Sequence, residues 1–208
     1  MARGVASVLA PGDVVTLEGE LGAGKTLFAR GVAEALGVLP ALVSSPTFVL
    51  VNVYPTGKAD IARVVHVDAY RLTPGADADT LGADRLFDPH TRMAAADAVA
   101  LVEWPDRMSA MLPPEYERAS VLLSHTGEQE REITLTLPDT WTARPGVEFL
   151  LTREPIRCSV TGKWVSPTAP TYPFADRRSQ DADLFKWFAG QHVVSREMKA
   201  EDVEGEGA

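Results

Sequence analysis

An α/β fold with a mixed parallel and antiparallel central sheet is predicted by three features of the sequence. The first is Gly19-Glu20-Leu21-Gly22-Ala23-Gly24-Lys25-Thr26, which fits the phosphate-binding string G-x-x-x-x-G-K-[ST]. It stands between an apolar, β-branched run, Val14-Val15-Thr16-Leu17-Glu18, and a helical run over residues 27–36 closed by Gly37. Strand, glycine loop and helix in that order aim backbone N–H groups and a helix N-terminus at a polyphosphate. The second feature is a pair of strand-like runs, residues 48–54 and 63–68, joined by a short connection rich in turn residues. A parallel crossover needs about a dozen residues or more, so the pair predicts an antiparallel hairpin. The third is the alternation of Ile133, Leu135 and Leu137, the mark of a half-buried antiparallel strand at one side of the sheet. Together they predict a P-loop NTPase-like three-layer fold.

The elements follow in order. Val5, Val8 and Leu9, at spacings of three and four, predict a short helix docking on the core. Pro11-Gly12-Asp13 is a turn into the strand before the glycine loop. The next helix should end at Gly37, with Pro40 blocking its continuation. Val43-Ser44-Ser45-Pro46-Thr47 is a polar loop ahead of the hairpin strands, both of high β-propensity. Residues 74–93 are acidic and alanine-rich and carry Leu81, Leu86 and Phe87 in one or two short helices. Ala98-Val99-Ala100-Leu101-Val102 is a further strand, ending at Glu103-Trp104 and stopped by Pro105. Residues 119–124 and 131–137 give two more, joined by a polar turn. After about Pro145 the period is lost. Residues 166–173 are proline-rich and extended, and residues 199–208 are acidic, glycine-bearing and expected to be disordered.

The 208 residues suffice for one sizeable α/β domain plus an appendage. Hydrophobic content of 45% and charged content of 24% are those of an ordinary globular protein. A net charge of -9 argues against a broad basic face that grips nucleic acid unaided. Nucleic acid handled through a partner remains open. The single cysteine, Cys158, forbids an intramolecular disulfide and fits a reducing cytoplasm. No apolar run reaches the roughly 18–20 residues of a membrane span, and the first ten residues are too short for a signal peptide.

A phosphate cradle needs an acidic group at a neighbouring strand end to orient metal and water. Two strands end so: residues 64–67 followed by Asp68, and residues 99–102 followed by Glu103. Each could also be a plain solvated strand end. Lys25 would reach the outer phosphates, and the Thr26 hydroxyl would ligate the Mg²⁺ that accompanies the nucleotide. Thr47 is a candidate phosphate or metal contact, or else a turn hydroxyl bonded to local backbone. Asp79-Thr80-Leu81-Gly82 matches D-x-x-G but follows no apolar strand, and no [NT]-K-x-D guanine-reading string occurs. The nucleotide is therefore expected to be ATP. His66, His90, His125 and His192 lack metal spacing and read as structural or solvated.

The strings at 19–26, Ser-Pro-Thr-Phe at 45–48, His-Val-Asp-Ala-Tyr-Arg-Leu at 66–72 and Val-Glu-Trp-Pro at 102–105 come in this order at close spacing. Together they resemble the TsaE (YjeE) family, small bacterial ATPases of tRNA threonylcarbamoyladenosine biosynthesis, over roughly residues 4–137. The resemblance implies Mg-dependent ATP hydrolysis and work with a TsaB–TsaD pair, whose TsaD member modifies adenosine 37 of tRNA. Contact with tRNA would be indirect, through that complex. It implies that Leu21, Gly22, Ala23, Gly24, Lys25 and Thr26 hold the phosphates and that Thr26 and Glu103 are the Mg²⁺ ligands. Asp68 and Thr47 would be catalytic or switch residues. Trp104 would lie beside the nucleotide, packing on it or shaping its pocket. No arginine finger is evident; Arg71 is the nearest arginine in sequence.

The resemblance also implies a strand and an acidic segment ahead of the first helix, whereas this sequence begins inside that helix. It does not reach residues 141–208. The expected organisation is an ATPase domain over 1–140, an aromatic-rich extension of unknown fold over 141–196, which packs on the core or binds a partner or else is a tail without function, and a disordered acidic tail over 197–208. A rival reading is a P-loop nucleoside or small-molecule phosphotransferase with Asp68 as base toward an acceptor hydroxyl. A third is a nucleotide-binding scaffold with negligible turnover.

Overall fold

The computed structural model describes residues 1–73, 94–127 and 130–188. The helices expected over 74–93, the D-x-x-G string, His90, His192 and the acidic tail lie outside the described residues. Contacts divide the chain into two units, one of Met1–Glu154 with Ser166–Thr168, the other of Pro155–Val165 with the residues from Ala169 onward.

The first unit is built on six strands: β1 (Val14–Glu18), β2 (Val51–Pro55), β3 (Arg63–Asp68), β4 (Ala98–Glu103), β5 (Ala119–His125) and β6 (Arg131–Thr136). Their order is β2-β3-β4-β1-β5-β6. The four inner strands run parallel, while β2 pairs antiparallel with β3 and β6 antiparallel with β5. This is the mixed sheet that the short 55–62 connection and the 131–137 alternation predict. β4 is buried at every position and β1 at all but its last, as parallel strands covered on both faces must be. β6 alternates half-buried and exposed residues, as an edge strand does.

Alternation along the strands serves two cores. On one face Val15, Leu17, Val64, Val99, Leu101, Val121 and Leu123 meet the helices α1 (Ala2–Val8) and α2 (Lys25–Ala35). On the other, Val14, Val65, Val67, Ala100 and Val102 meet Leu72, Met108 and Leu112. Each such Val, Leu or Met side chain contributes about 1.5–3 kcal/mol by leaving water.

α2 starts two residues earlier than the hydrophobic period suggests, because Gly24 takes a left-handed conformation and serves as its N-cap. Its end is a Schellman motif: Val38 N–H donates to the Ala33 carbonyl and Gly37 N–H to that of Glu34, with Gly37 at φ 93°. β2 starts three residues later than its β-propensity suggests. Residues 48–50 instead close a turn on Pro46, whose carbonyl accepts from the N–H groups of Val49 and Leu50. The ladder bond from Asp68 N–H to the Leu50 carbonyl is the last available, because β3 ends there. Without a partner strand, β-propensity decides nothing.

The first unit runs past residue 140, the boundary expected from sequence. Trp141 is fully buried, and Val147 and Leu150 of the helix α3 (Val147–Thr152) join the same core. Arg144 pins this segment down. Its guanidinium meets Asp13 at 2.5 and 2.9 Å, donates to the Val8 carbonyl and covers the Trp141 ring.

The second unit holds a small hairpin, β7 (Ile156–Arg157) with β8 (Trp164–Val165), and the helix α4 (Arg177–Phe188). Asp176 caps α4: its carboxylate accepts from the backbone N–H and the hydroxyl of Ser179. Cys158 opens the turn between the two strands. The Thr161 hydroxyl and backbone N–H groups around the sulfur lower its thiol to about 6. Trp164 and Phe185 are exposed, so the aromatic richness of this segment does not make these two a core. Among the described residues no helix is long and apolar enough to cross a membrane.

Candidate nucleotide-binding site

The loop between β1 and α2 is shaped by what glycine permits. Gly19 sits at φ 135°, and a Cβ there would lie 2.4 Å from the Leu123 carbonyl oxygen. No other residue fits that backbone contact. The turn brings Lys25 back over its own loop. Lys25 Nζ donates to the carbonyls of Gly19 and Glu20, each at 2.8 Å, and stands 3.8 Å from the centroid of the Trp104 ring. Burial lowers the Lys25 ammonium from its ordinary value, opposed by the Glu103 and Asp68 carboxylates.

The two carboxylates come together through strand register. Asp68 and Glu103 are the last residues of β3 and β4, and they are paired in the parallel ladder. Both are buried. The Thr26 hydroxyl, one residue into α2, is shared between the two Glu103 oxygens at 2.8 and 3.1 Å. Asp68 faces the polar loop instead. Its Oδ2 accepts from the Thr47 and Ser45 hydroxyls, the latter at 3.2 Å, and its Oδ1 from the Tyr70 N–H at 3.0 Å.

These groups border one cleft of about 340 Å³. Of the residues expected from sequence, Leu21, Gly22, Gly24, Lys25, Thr26, Thr47, Asp68, Glu103 and Trp104 line it. Leu21 is an exposed rim residue. Ala23 does not line the cleft; it is fully buried, and its N–H closes the loop onto the Glu20 carbonyl. Trp104 adopts a left-handed backbone conformation (φ 58°), which turns its ring over Lys25 and against Tyr70 at 5.1 Å. Arg71 is not among the lining residues; its guanidinium stacks 4.2 Å from the Phe48 ring centroid.

Three participants were not singled out from sequence. Ser45 and Tyr70 line the cleft, and both belong to strings that flank chosen residues. His66, read as structural or solvated, is buried and bonds Glu103 Oε1 through Nε2 at 2.8 Å. Its place two residues before Asp68, on the same face of β3, was the available signal.

The donor set suits a hard cation. Thr26 and Glu103 offer hydroxyl and carboxylate oxygens, the kind of ligand Mg²⁺ takes while drawing its remaining ligands from water and phosphate. Among the described residues no group of three or more His, Cys, Asp or Glu converges as a metal site.

The family profile described as Threonylcarbamoyl adenosine biosynthesis protein TsaE matches residues 1–133. The tRNA threonylcarbamoyladenosine biosynthesis protein TsaE of Bacillus subtilis is 39% identical over 136 residues, 65% of this chain and 77% of that protein. Its counterpart in Streptomyces coelicolor is 38% identical over 144 residues, 68% of this chain and 91% of that one. The crystal structure of Bacillus subtilis YdiB aligns at 34% identity with a TM-score of 0.45, covering 67% of this chain and 77% of that one.

Proposed function

The chain belongs to the TsaE family of threonylcarbamoyladenosine biosynthesis proteins, and on that premise we propose that it is a Mg²⁺-dependent ATPase. It would be the subunit required for threonylcarbamoyladenosine modification of tRNA adenosine 37, acting with a TsaB–TsaD-like complex in the cytoplasm. The observation that carries this reading is the pairing of Asp68 with Glu103 at the ends of β3 and β4, beside Lys25 and Thr26 of the glycine loop.

In this reading the backbone of residues 21–26 cradles the phosphates and Lys25 turns from its loop carbonyls onto the outer ones. Thr26 and Glu103 hold Mg²⁺, which when bound neutralises charge on the phosphate oxygens. Asp68 orients the attacking water. Its bonds to Ser45 and Thr47 tie that task to the 45–48 loop. A loop fastened to the catalytic carboxylate can change state when the terminal phosphate leaves, and a partner complex can sense the change. Trp104 covers Lys25 and walls the cleft. The absence of a guanine-reading string favours ATP.

Phosphate release by the purified chain, alone and with the TsaB–TsaD pair, tests this. Lys25→Ala should remain folded and lose hydrolysis. A folded Lys25→Ala chain with unchanged turnover overturns the reading. Assay with candidate acceptor hydroxyls separates hydrolysis from phosphotransfer.

A further inference from the structure

We propose that His66 is a positioning residue that locks the Glu103 carboxylate in the orientation needed to hold the nucleotide's metal ion. The inference rests on the nucleotide reading above and adds a residue to it.

Among the described residues Glu103 has two side-chain partners within hydrogen-bond distance: the Thr26 hydroxyl and His66 Nε2. They are not equivalent. The Thr26 hydroxyl lines the cleft, and its oxygen is itself a candidate metal ligand even while its proton bonds Glu103. His66 approaches from the sheet, away from the cleft, and is absent from its lining. A carboxylate only accepts, so the His66 nitrogen at 2.8 Å carries the proton. The terminal torsion of a glutamate is broad and selects no orientation by itself. One N–H on Oε1 supplies the selection.

The rest of the imidazole environment argues against a packing role. The ring is 1% exposed, yet among the described residues Nδ1 has no hydrogen-bond partner. Tyr54 packs near it at a centroid distance of 6.5 Å, tilted by 43°, but its hydroxyl is committed to the Ser44 backbone. An apolar side chain would fill this space without leaving a polar atom unpaired. Among the described residues the one side-chain hydrogen bond of His66 is with Glu103. Partners that orient a metal ligand from behind commonly change metal affinity 10–100-fold when removed.

The test uses the full chain and a non-hydrolysed ATP analogue, AMPPNP, titrated calorimetrically with Mg²⁺ and again with EDTA. The readout is the gain in affinity that Mg²⁺ confers. His66→Leu removes the donor. His66→Gln puts an amide N–H near the Nε2 position, and His66→Asn carries the same amide too short to reach. His66→Leu and His66→Asn are expected to lose about tenfold or more of the Mg²⁺-dependent gain. His66→Gln should stay within about threefold of the parent chain, and the affinity in EDTA should be unchanged throughout. The proposal is overturned if His66→Leu keeps the full gain or if His66→Gln loses as much as His66→Asn. It is equally overturned if affinity falls alike with and without Mg²⁺, the signature of a packing role. If His66→Leu does not fold by circular dichroism, the Gln and Asn pair decides; if neither folds, His66 is a folding residue and the proposal fails. A parent chain that binds no AMPPNP, or gains nothing from Mg²⁺, sinks the nucleotide reading itself.

Discussion

Lys25 bonds two carbonyls of its own loop inside the cleft and lies against Trp104. Replacing it removes the charge-assisted bonds expected to ATP, so Lys25→Ala should weaken ATP binding by about 2–3 kcal/mol, or roughly 30–150-fold. Equilibrium binding with a fluorescent ATP analogue measures this; an unchanged affinity would remove Lys25 from the phosphate site. Glu103→Gln keeps the shape and some of the hydrogen bonding but removes the charge. It should leave the melting temperature nearly unchanged while hydrolysis falls at least a hundredfold, on the order of an electrostatic group lost from a catalytic centre. Hydrolysis at the parent rate would exclude Glu103 from the chemistry. At this scale the sequence was informative about which residues meet at the cleft. The glycine loop announces Lys25 and Thr26, and strand ends announce Asp68 and Glu103. His66 was not legible, because its meaning depends on a carboxylate that reaches it across the β3–β4 ladder.

Among the elements, α4 and the β7–β8 hairpin carry separable expectations. Asp176→Ala removes the cap of α4 and should cost about 1 kcal/mol of stability in the second unit, read as a lower urea midpoint of helix loss. The turn around Cys158 makes a titration testable. Its thiol stands at about 6 in the folded chain, below the unfolded value of 9.0. The stabilisation is therefore fully present above the unfolded pKa and is lost as pH falls through about 6. Thiolate absorbance near 240 nm should rise with a midpoint close to 6 in the native chain and at higher pH when unfolded. A native midpoint at the unfolded value would show that the Thr161 and backbone donors do not act on the sulfur. β2 shows where element reading falls short. Residues 48–50 have strand-forming side chains, yet the Pro46 turn and the end of β3 decide their backbone.

For the whole molecule, the informative contacts join the segment after residue 140 to the start of the chain. Arg144→Ala leaves the buried Asp13 carboxylate without its cation. The expected loss is about 2–3 kcal/mol, below the roughly 3–5 of a fully enclosed pair because Arg144 keeps some contact with water. Truncation after residue 140 would remove Trp141, Val147 and Leu150 as well, and should cost more than 3 kcal/mol, the lower bound for deleting a buried Trp. Urea unfolding of the two variants measures both, and a truncated chain as stable as the parent would mean that Trp141 does not belong to the core. That the segment packs on the core was one expected outcome, but the contacts that hold it were not legible beforehand. The sequence after Pro145 has no period, and a single arginine far from its aspartate carries no signal until the fold is known.

The position of β1 in the middle of the sheet bears on how the chain emerges from the ribosome. Val14 pairs with Ala100 and Val15 with Ala119, so the strand that aims the glycine loop has no partner among its sequence neighbours. Contacts of such long sequence separation form late and fold slowly. The glycine loop, synthesised before β4 and β5, must wait for both. Nascent chains arrested before residue 119 should be unable to retain nucleotide, and that capacity should arise abruptly once residues 119–125 clear the exit tunnel.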